Sequence, residues 1–270
     1  MKNKVTRRLN EVYSKDDSSI DPVLSELQAL SLPREDERRD GMLTDHSEIM
    51  GEKGSPITTP EVFGLYAILT DPVVGYEACA RSVVSEGIRY LQLRMKDAPR
   101  SEVLRTARAI REITRGSSTR FIVNDDPLIA MEVDADGVHL GQSDMPINEA
   151  RALWDMPGKI FGLSTHNEAQ ELKARGLKPD YIGVGPVFPT PTKAIPDPDL
   201  GLELMGKIIR NSPFPAVAIG GINEENLPEI LALGAVNFSS VRPIMQSPDP
   251  RMAIRRLMEI WKAALLGPLN

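Results

Sequence analysis

From residue 63 onward, short apolar runs alternate with longer stretches whose apolar residues recur every three or four positions. The short runs cover residues 64–70, 90–94, 120–124, 137–140, 160–164, 181–184, 216–219 and 237–241, each ended by a polar residue, glycine or proline. Such runs read as parallel strands covered on both faces. Residues 76–85, 101–115, 128–131, 148–154, 165–175, 200–210, 223–233 and 250–265 read as helices. Val103, Leu104, Ala107 and Ile110 line one face of the second helix, and Leu204 and Ile208 lie on the inner face of the sixth. Gly87 and Gly234 sit where a helix ends, and Asn223 sits where one starts. Thr165 and Glu168 have capping-box spacing, and Pro250 suits a first helical turn. Eight strand–helix repeats predict a (β/α)₈ barrel. The rival, a doubly wound open sheet, usually has fewer strands and often a glycine-rich first turn, which does not follow the first strand here. A barrel brings the polar residues after each strand to one mouth.

Residues 1–60 break this pattern. Charges of both signs crowd Arg34 to Asp40, and Gly, Ser and Pro dominate residues 51–60. One amphipathic helix fits residues 23–32 through Val23, Leu24, Leu27 and Leu30, but the rest is too polar to build a core. We expect a flexible extension at 1–60 and the barrel at 61–270; a docking arm or lid has no motif behind it. Over the whole chain of 270 residues, 41% are hydrophobic and 26% charged, an ordinary globular composition. A formal net charge of -6 argues against nucleic-acid or anionic-membrane partners. No apolar run spans a bilayer and the N-terminus lacks a signal-peptide core, so the expected location is cytoplasmic. The single cysteine, Cys79, flanked by Ala78 and Ala80, excludes an intramolecular disulfide and reads as a small buried hydrophobe.

Candidate chemistry gathers after the strands. The sixth run leads through Gly183, Gly185 and Pro186 into Pro189, Thr190, Pro191, Thr192 and Lys193. The two glycines permit close backbone approach to a ligand, and the prolines restrict φ. Two hydroxyls and an ammonium then suit a phosphate. A stiff linker would have a similar composition, but it would not need the strand before it. After the second run, alternation puts Gln92, Arg94 and Lys96 on one side, where inward cations ask for an anion. Asn124, Asp125 and Asp126 follow the third run; His139, Gly141, Gln142 and Asp144 belong to the fourth. Asp125 and Asp144 thus end neighbouring strands, an arrangement suited to one Mg²⁺ with waters and phosphate oxygens. Singly, each reads more often as a cap or turn residue. Ser164 ends the fifth run. Gly220 and Gly221 follow the seventh and Val241 and Arg242 the eighth, where such barrels commonly hold phosphate. His139 reads as readily as a structural residue as a base, and receives no chemical role. No Ser/His/Asp set, zinc spacing or nucleotide P-loop is present.

These segments resemble thiamine phosphate synthase. The matching stretches are residues 92–96, Asn124 with Asp125, residues 136–144, 162–166, 183–193 and 218–222, running in order from about residue 63 to the C-terminus. The resemblance implies joining of a hydroxymethylpyrimidine diphosphate to a thiazole phosphate, forming thiamine monophosphate and releasing pyrophosphate. It implies that Gln92, Leu93, Arg94, Met95, Lys96, Asn124, Ser164 and Lys193 hold the pyrimidine diphosphate. Of these, Lys193, Arg94 and Lys96 would carry the catalytic charge. Asp125 and Asp144 would hold Mg²⁺, while Thr190, Pro191, Thr192, Gly221, Val241 and Arg242 would surround the thiazole phosphate. The partners so implied are small phosphorylated molecules, and a homo-oligomer is compatible with it. Two positions depart from the family pattern: Asp126 stands where a basic residue is frequent, and Arg242-Pro243 where Ser-Ala is frequent. Rival functions on the same barrel are a thiazole tautomerase and a non-catalytic sensor of thiazole or thiamine phosphate.

Overall fold

The computed structural model describes residues 61–190 and 198–266. The expected helix at 23–32 and extension at 1–60 lie outside them, as do Pro191, Thr192 and Lys193. Eight parallel strands form one sheet in sequence order: β1 (Tyr66–Leu69), β2 (Tyr90–Leu93), β3 (Arg120–Asn124), β4 (Gly137–Leu140), β5 (Ile160–Thr165), β6 (Tyr181–Val184), β7 (Ala216–Ile219) and β8 (Asn237–Ser239). A parallel bridge between Leu65 and Phe238, with the Phe238 amide donating to Gly64 O at 3.0 Å, closes the ring. The expected (β/α)₈ barrel is the fold.

The helices are α1 (Tyr76–Ser85), α2 (Arg100–Thr114), α3 (Pro127–Glu132), α4 (Ile147–Leu153), α5 (Glu168–Leu177), α6 (Gly201–Asn211), α7 (Leu227–Ala232), α8 (Arg242–Met245) and α9 (Pro250–Leu266). Their buried faces follow helical spacing, as with Cys79, Ala80 and Val83 on α1 and Ala107, Ile110 and Thr114 on α2. Cys79 is fully buried, and burial pushes its thiol up to about 12. Gly87 ends α1 with φ +67°, a conformation that carries little penalty without a Cβ.

Two expected caps differ. Thr165 stays in β5, buried, its hydroxyl donating to Gly183 O at 2.9 Å; Asn167 caps α5 instead, accepting from the Gln170 amide at 2.9 Å. Gln170 accepts in turn from the His166 amide at 2.7 Å, one residue before the cap, so a second side-chain bond ties the start of α5. Asn223 accepts from the amides of Glu225 and Asn226, at 2.9 and 3.0 Å, and organises a turn before α7 rather than its first residue. The short α8 has no counterpart among the expected helices: Pro243 at its second position makes one turn favourable there.

Strand alternation splits the core into two layers. Leu65, Leu91, Phe121, Val138, Leu163 and Phe238 face the helices, whereas Tyr66, Ile68, Tyr90, Ile122, Tyr181 and Val217 fill the barrel. The filling is aromatic, with Tyr66 stacked on Tyr90 at 5.6 Å and tilted against Tyr181 at 5.4 Å. Below it, Asn237 Oδ1 accepts from the Phe63 amide at 2.7 Å, and the Glu61 carboxylate pairs with Arg89 at 2.7 Å. The barrel's ring therefore closes within residues 61–266. Deleting residues 1–55 is expected to leave melting temperature and turnover nearly unchanged, because that segment is too polar to contribute a core. A thermal melt and a steady-state assay of the truncated protein check this; a large fall in either would assign the segment a packing or closing role.

Candidate active site

The carboxyl ends of the strands bring most of the expected residues to one mouth. β2 stops at Leu93, and the Arg94 amide donates to Leu69 O at 2.9 Å, the last rung of its ladder to β1. Leu93 itself packs outward into the helix-facing core, so only its backbone belongs to the mouth. Lys96 reaches the end of β3, where its Nζ lies 2.6 Å from Asp125 Oδ2.

Asp125 adopts φ +65°, unusual for a residue with a Cβ, and its amide is held by His139 O at 2.8 Å. This sharp turn sets its carboxylate against that of Asp144. Burial raises the Asp125 carboxyl above its ordinary range; the neighbouring Asp144 raises it further, and Lys96 opposes both. Asp144 is fixed by the Gly141 amide, which donates to its Oδ2 at 2.7 Å. Two oxygen-only ligands that repel one another fit a hard cation. Among the described residues no group of three or more His, Cys, Asp and Glu is placed to hold a metal ion. Asp126, the departure from the family pattern, serves its own helix. Its Oδ1 accepts from the amides of Leu128 and Ile129, at 2.8 and 3.0 Å, and caps α3.

On the far side, β6 and β7 end together. The Val187 amide donates to Ile219 O at 2.9 Å and the Phe188 amide to Gly220 O at 3.1 Å, laying the loop after β6 on the loop after β7. Gly221 (φ +67°) allows this contact, because a Cβ there would sit 2.6 Å from Phe188 Cβ. Gly185, expected to admit a ligand, does something else. Its bare Cα accommodates the Ile219 carbonyl, so the close approach is within the protein. Ser240 Oγ donates to Ile222 O at 2.7 Å and ties the end of β8 to the same loop; Val241 packs against the interior cluster. Arg242 opens α8 beside it.

The barrel interior links two expected ligand residues, Gln92 and Ser164, through Tyr66, Tyr181 and His139, to which the sequence reading gives no chemical role. Gln92 Nε2 donates to Tyr66 OH at 3.1 Å, and Tyr66 OH meets Tyr181 OH at 2.6 Å. Tyr181 OH meets His139 Nδ1 at 2.9 Å, and His139 Nε2 meets Ser164 Oγ at 2.9 Å. Gln142 Nε2 donates to Ser164 O at 2.6 Å. The signal for Tyr66 and Tyr181 is in the alternation: they share the inward phase of their strands with Gln92 and Ser164. Gly162 makes room for the connection, because a Cβ there would collide with the Tyr181 ring and lie 2.6 Å from His139 Nδ1.

Fold and mouth together define a (β/α)₈ barrel with a paired-carboxylate, cationic site at its strand carboxyl ends. The chain belongs to the thiamine monophosphate synthase family, whose model matches residues 65–244. A thiamine-phosphate synthase of Vibrio campbellii is 36% identical over 74% of this chain and 98% of its own length. One from Synechocystis is 43% identical over 71% of this chain, and there the match spans 55% of the relative's length. The solved structure of thiamine phosphate pyrophosphorylase from Pyrococcus furiosus is 34% identical, with TM-score 0.68, over 75% of this chain and 97% of that one.

Proposed function

We propose that this protein is a thiamine-phosphate synthase, joining a hydroxymethylpyrimidine diphosphate to a thiazole phosphate and releasing pyrophosphate. The observation that carries the reading is Lys96, Asp125 and Asp144 gathered at the mouth of a barrel of this family. The methylene C–O bond breaks first, and its electron pair leaves with pyrophosphate. The thiazole nitrogen then gives its lone pair to the pyrimidinyl cation, forming the C–N bond. No proton moves in either step, so no general base is required. Arg94 and Lys96, with Lys193 from the loop after β6, meet the charge that grows on the departing diphosphate. Gln92, Asn124 and Ser164 orient the pyrimidine, while Thr190, Thr192 and the backbone at Gly221, Val241 and Arg242 receive the thiazole phosphate. Asp125 and Asp144 would hold Mg²⁺, which supplies further neutralisation of the leaving group. A tautomerase or a sensor of thiazole phosphate has less need of a diphosphate–metal cluster, so that cluster favours the synthase.

Expression in a bacterium lacking its own thiamine-phosphate synthase tests the reading: growth without added thiamine supports it, and continued dependence opposes it. Lys193→Ala is expected to abolish that rescue while leaving the fold intact, because the role proposed for its ammonium is to stabilise charge on the departing diphosphate. Full turnover by purified Lys193→Ala at limiting substrate would remove this lysine from the mechanism.

A further inference from the structure

We propose that Tyr66 and Tyr181, acting through His139, form a hydrogen-bond wire inside the barrel that fixes the donor and acceptor polarity of Gln92 and Ser164. The two tyrosines are then positioning residues for the pyrimidine ring, an inference that rests on the function proposed above. The wire is continuous over five side chains from β1, β2, β4, β5 and β6, with contacts of 2.6–3.1 Å. Tyr66, Gln92 and Tyr181 are 2–3% exposed, so water does not compete for these groups. Burial raises both phenols far above their ordinary range, and each therefore keeps its single proton to donate.

Proton counting gives the wire a direction. Gln92 Nε2 donates to Tyr66. Tyr66 OH then donates to Tyr181 O, and Tyr181 OH donates to His139 Nδ1. His139 must carry its own proton on Nε2, and donates it to Ser164 Oγ. What remains is an acceptor, Gln92 Oε1, at one end and a donor, the Ser164 hydroxyl proton, at the other. The Gln92 amide, with Nε2 toward Tyr66, sets this direction, so the two ends offer opposite polarity. An aminopyrimidine edge presents one donor, its amino group, and one acceptor, its ring nitrogen. The wire offers the complementary pair already oriented, and ordering that would otherwise be needed on binding is complete beforehand.

The test uses the full chain with selectively ¹⁵N-labelled histidine, of which the sequence has 3. Long-range ¹H–¹⁵N spectra of the wild type are expected to show His139 protonated at Nε2, and Tyr181→Phe is expected to mix the two tautomers. In steady-state assays Tyr181→Phe, which keeps the ring and its packing, should lower kcat/KM for the pyrimidine diphosphate about tenfold, with KM for the thiazole phosphate within about twofold. Tyr66→Phe should lose less, on the same substrate, because Tyr181 can still donate to His139. A wild-type His139 protonated at Nδ1 would overturn the wire, as would a folded Tyr181→Phe with unchanged kinetics or equal losses on both substrates. The wild-type spectrum tests the wire even in a protein that makes no thiamine monophosphate, so the two failures are separable.

Discussion

Asp125→Asn and Asp144→Asn should each cost about 2–4 kcal/mol of transition-state stabilisation in kcat/KM, and the double variant should lose much less than the sum. The carboxylates lie against one another at the ends of β3 and β4, and losing either one cripples the same charge-holding site. Stability should move the opposite way. Burial and Asp144 raise the Asp125 carboxyl, so the folded protein holds that proton more tightly than the unfolded chain. Below the ordinary carboxylate range both states are protonated and nothing is lost. As pH rises through that range the unfolded chain ionises first, and the fold loses stability until Asp125 has ionised too. Without metal, either asparagine variant should therefore gain melting temperature over the wild type at about pH 7 and gain less at about pH 4. The lost Lys96 pair subtracts little, because Lys96 is 46% exposed. Additive losses in kcat/KM, or a wild-type Mg²⁺ dependence in either single variant, would break the pair into independent residues.

Gly185→Ala is the largest effect expected on folding. A Cβ there would overlap the Ile219 carbonyl oxygen and lie 2.7 Å from Ile219 Cγ2, so backbone must move. That same oxygen accepts the Val187 amide at 2.9 Å, which docks the loop after β6 onto β7. Relieving the clash parts β6 from β7 or lifts the loop, a cost of about 3 kcal/mol or more. Chemical denaturation should show the midpoint fall with the slope unchanged. Turnover should fall as well, because the displaced loop carries Thr190. A midpoint within error of wild type would mean that the β6–β7 seam yields easily.

The barrel is legible in the sequence because its signal is repetitive. Each strand is a short apolar run with a polar stop, and the bounds of β3, β4, β6 and β7 match the expected ones. Caps are less legible, because side chains compete locally for the same amides. Thr165 has the right spacing to cap α5, yet its hydroxyl is drawn into the sheet by Gly183 O, and Asn167 takes the role. Asp125 and Asp144 can be paired from strand order alone, since neighbouring strands in a barrel share an edge. The left-handed turn at Asp125 that sets the carboxylates together leaves no mark in composition. Tyr66 and Tyr181 escape for a different reason. A tyrosine in a strand reads as apolar filling, and only the inward phase of five strands taken together shows that the hydroxyls meet. Gly185 misleads because glycine marks close approach without saying what approaches.

The most direct measurement incubates the purified chain with the hydroxymethylpyrimidine diphosphate, the thiazole phosphate and Mg²⁺, and quantifies both products. Thiamine monophosphate and pyrophosphate should form in equal amounts, with none of either when one substrate is withheld. Isomerised thiazole phosphate alone, or binding without any new C–N bond, would contradict the assignment.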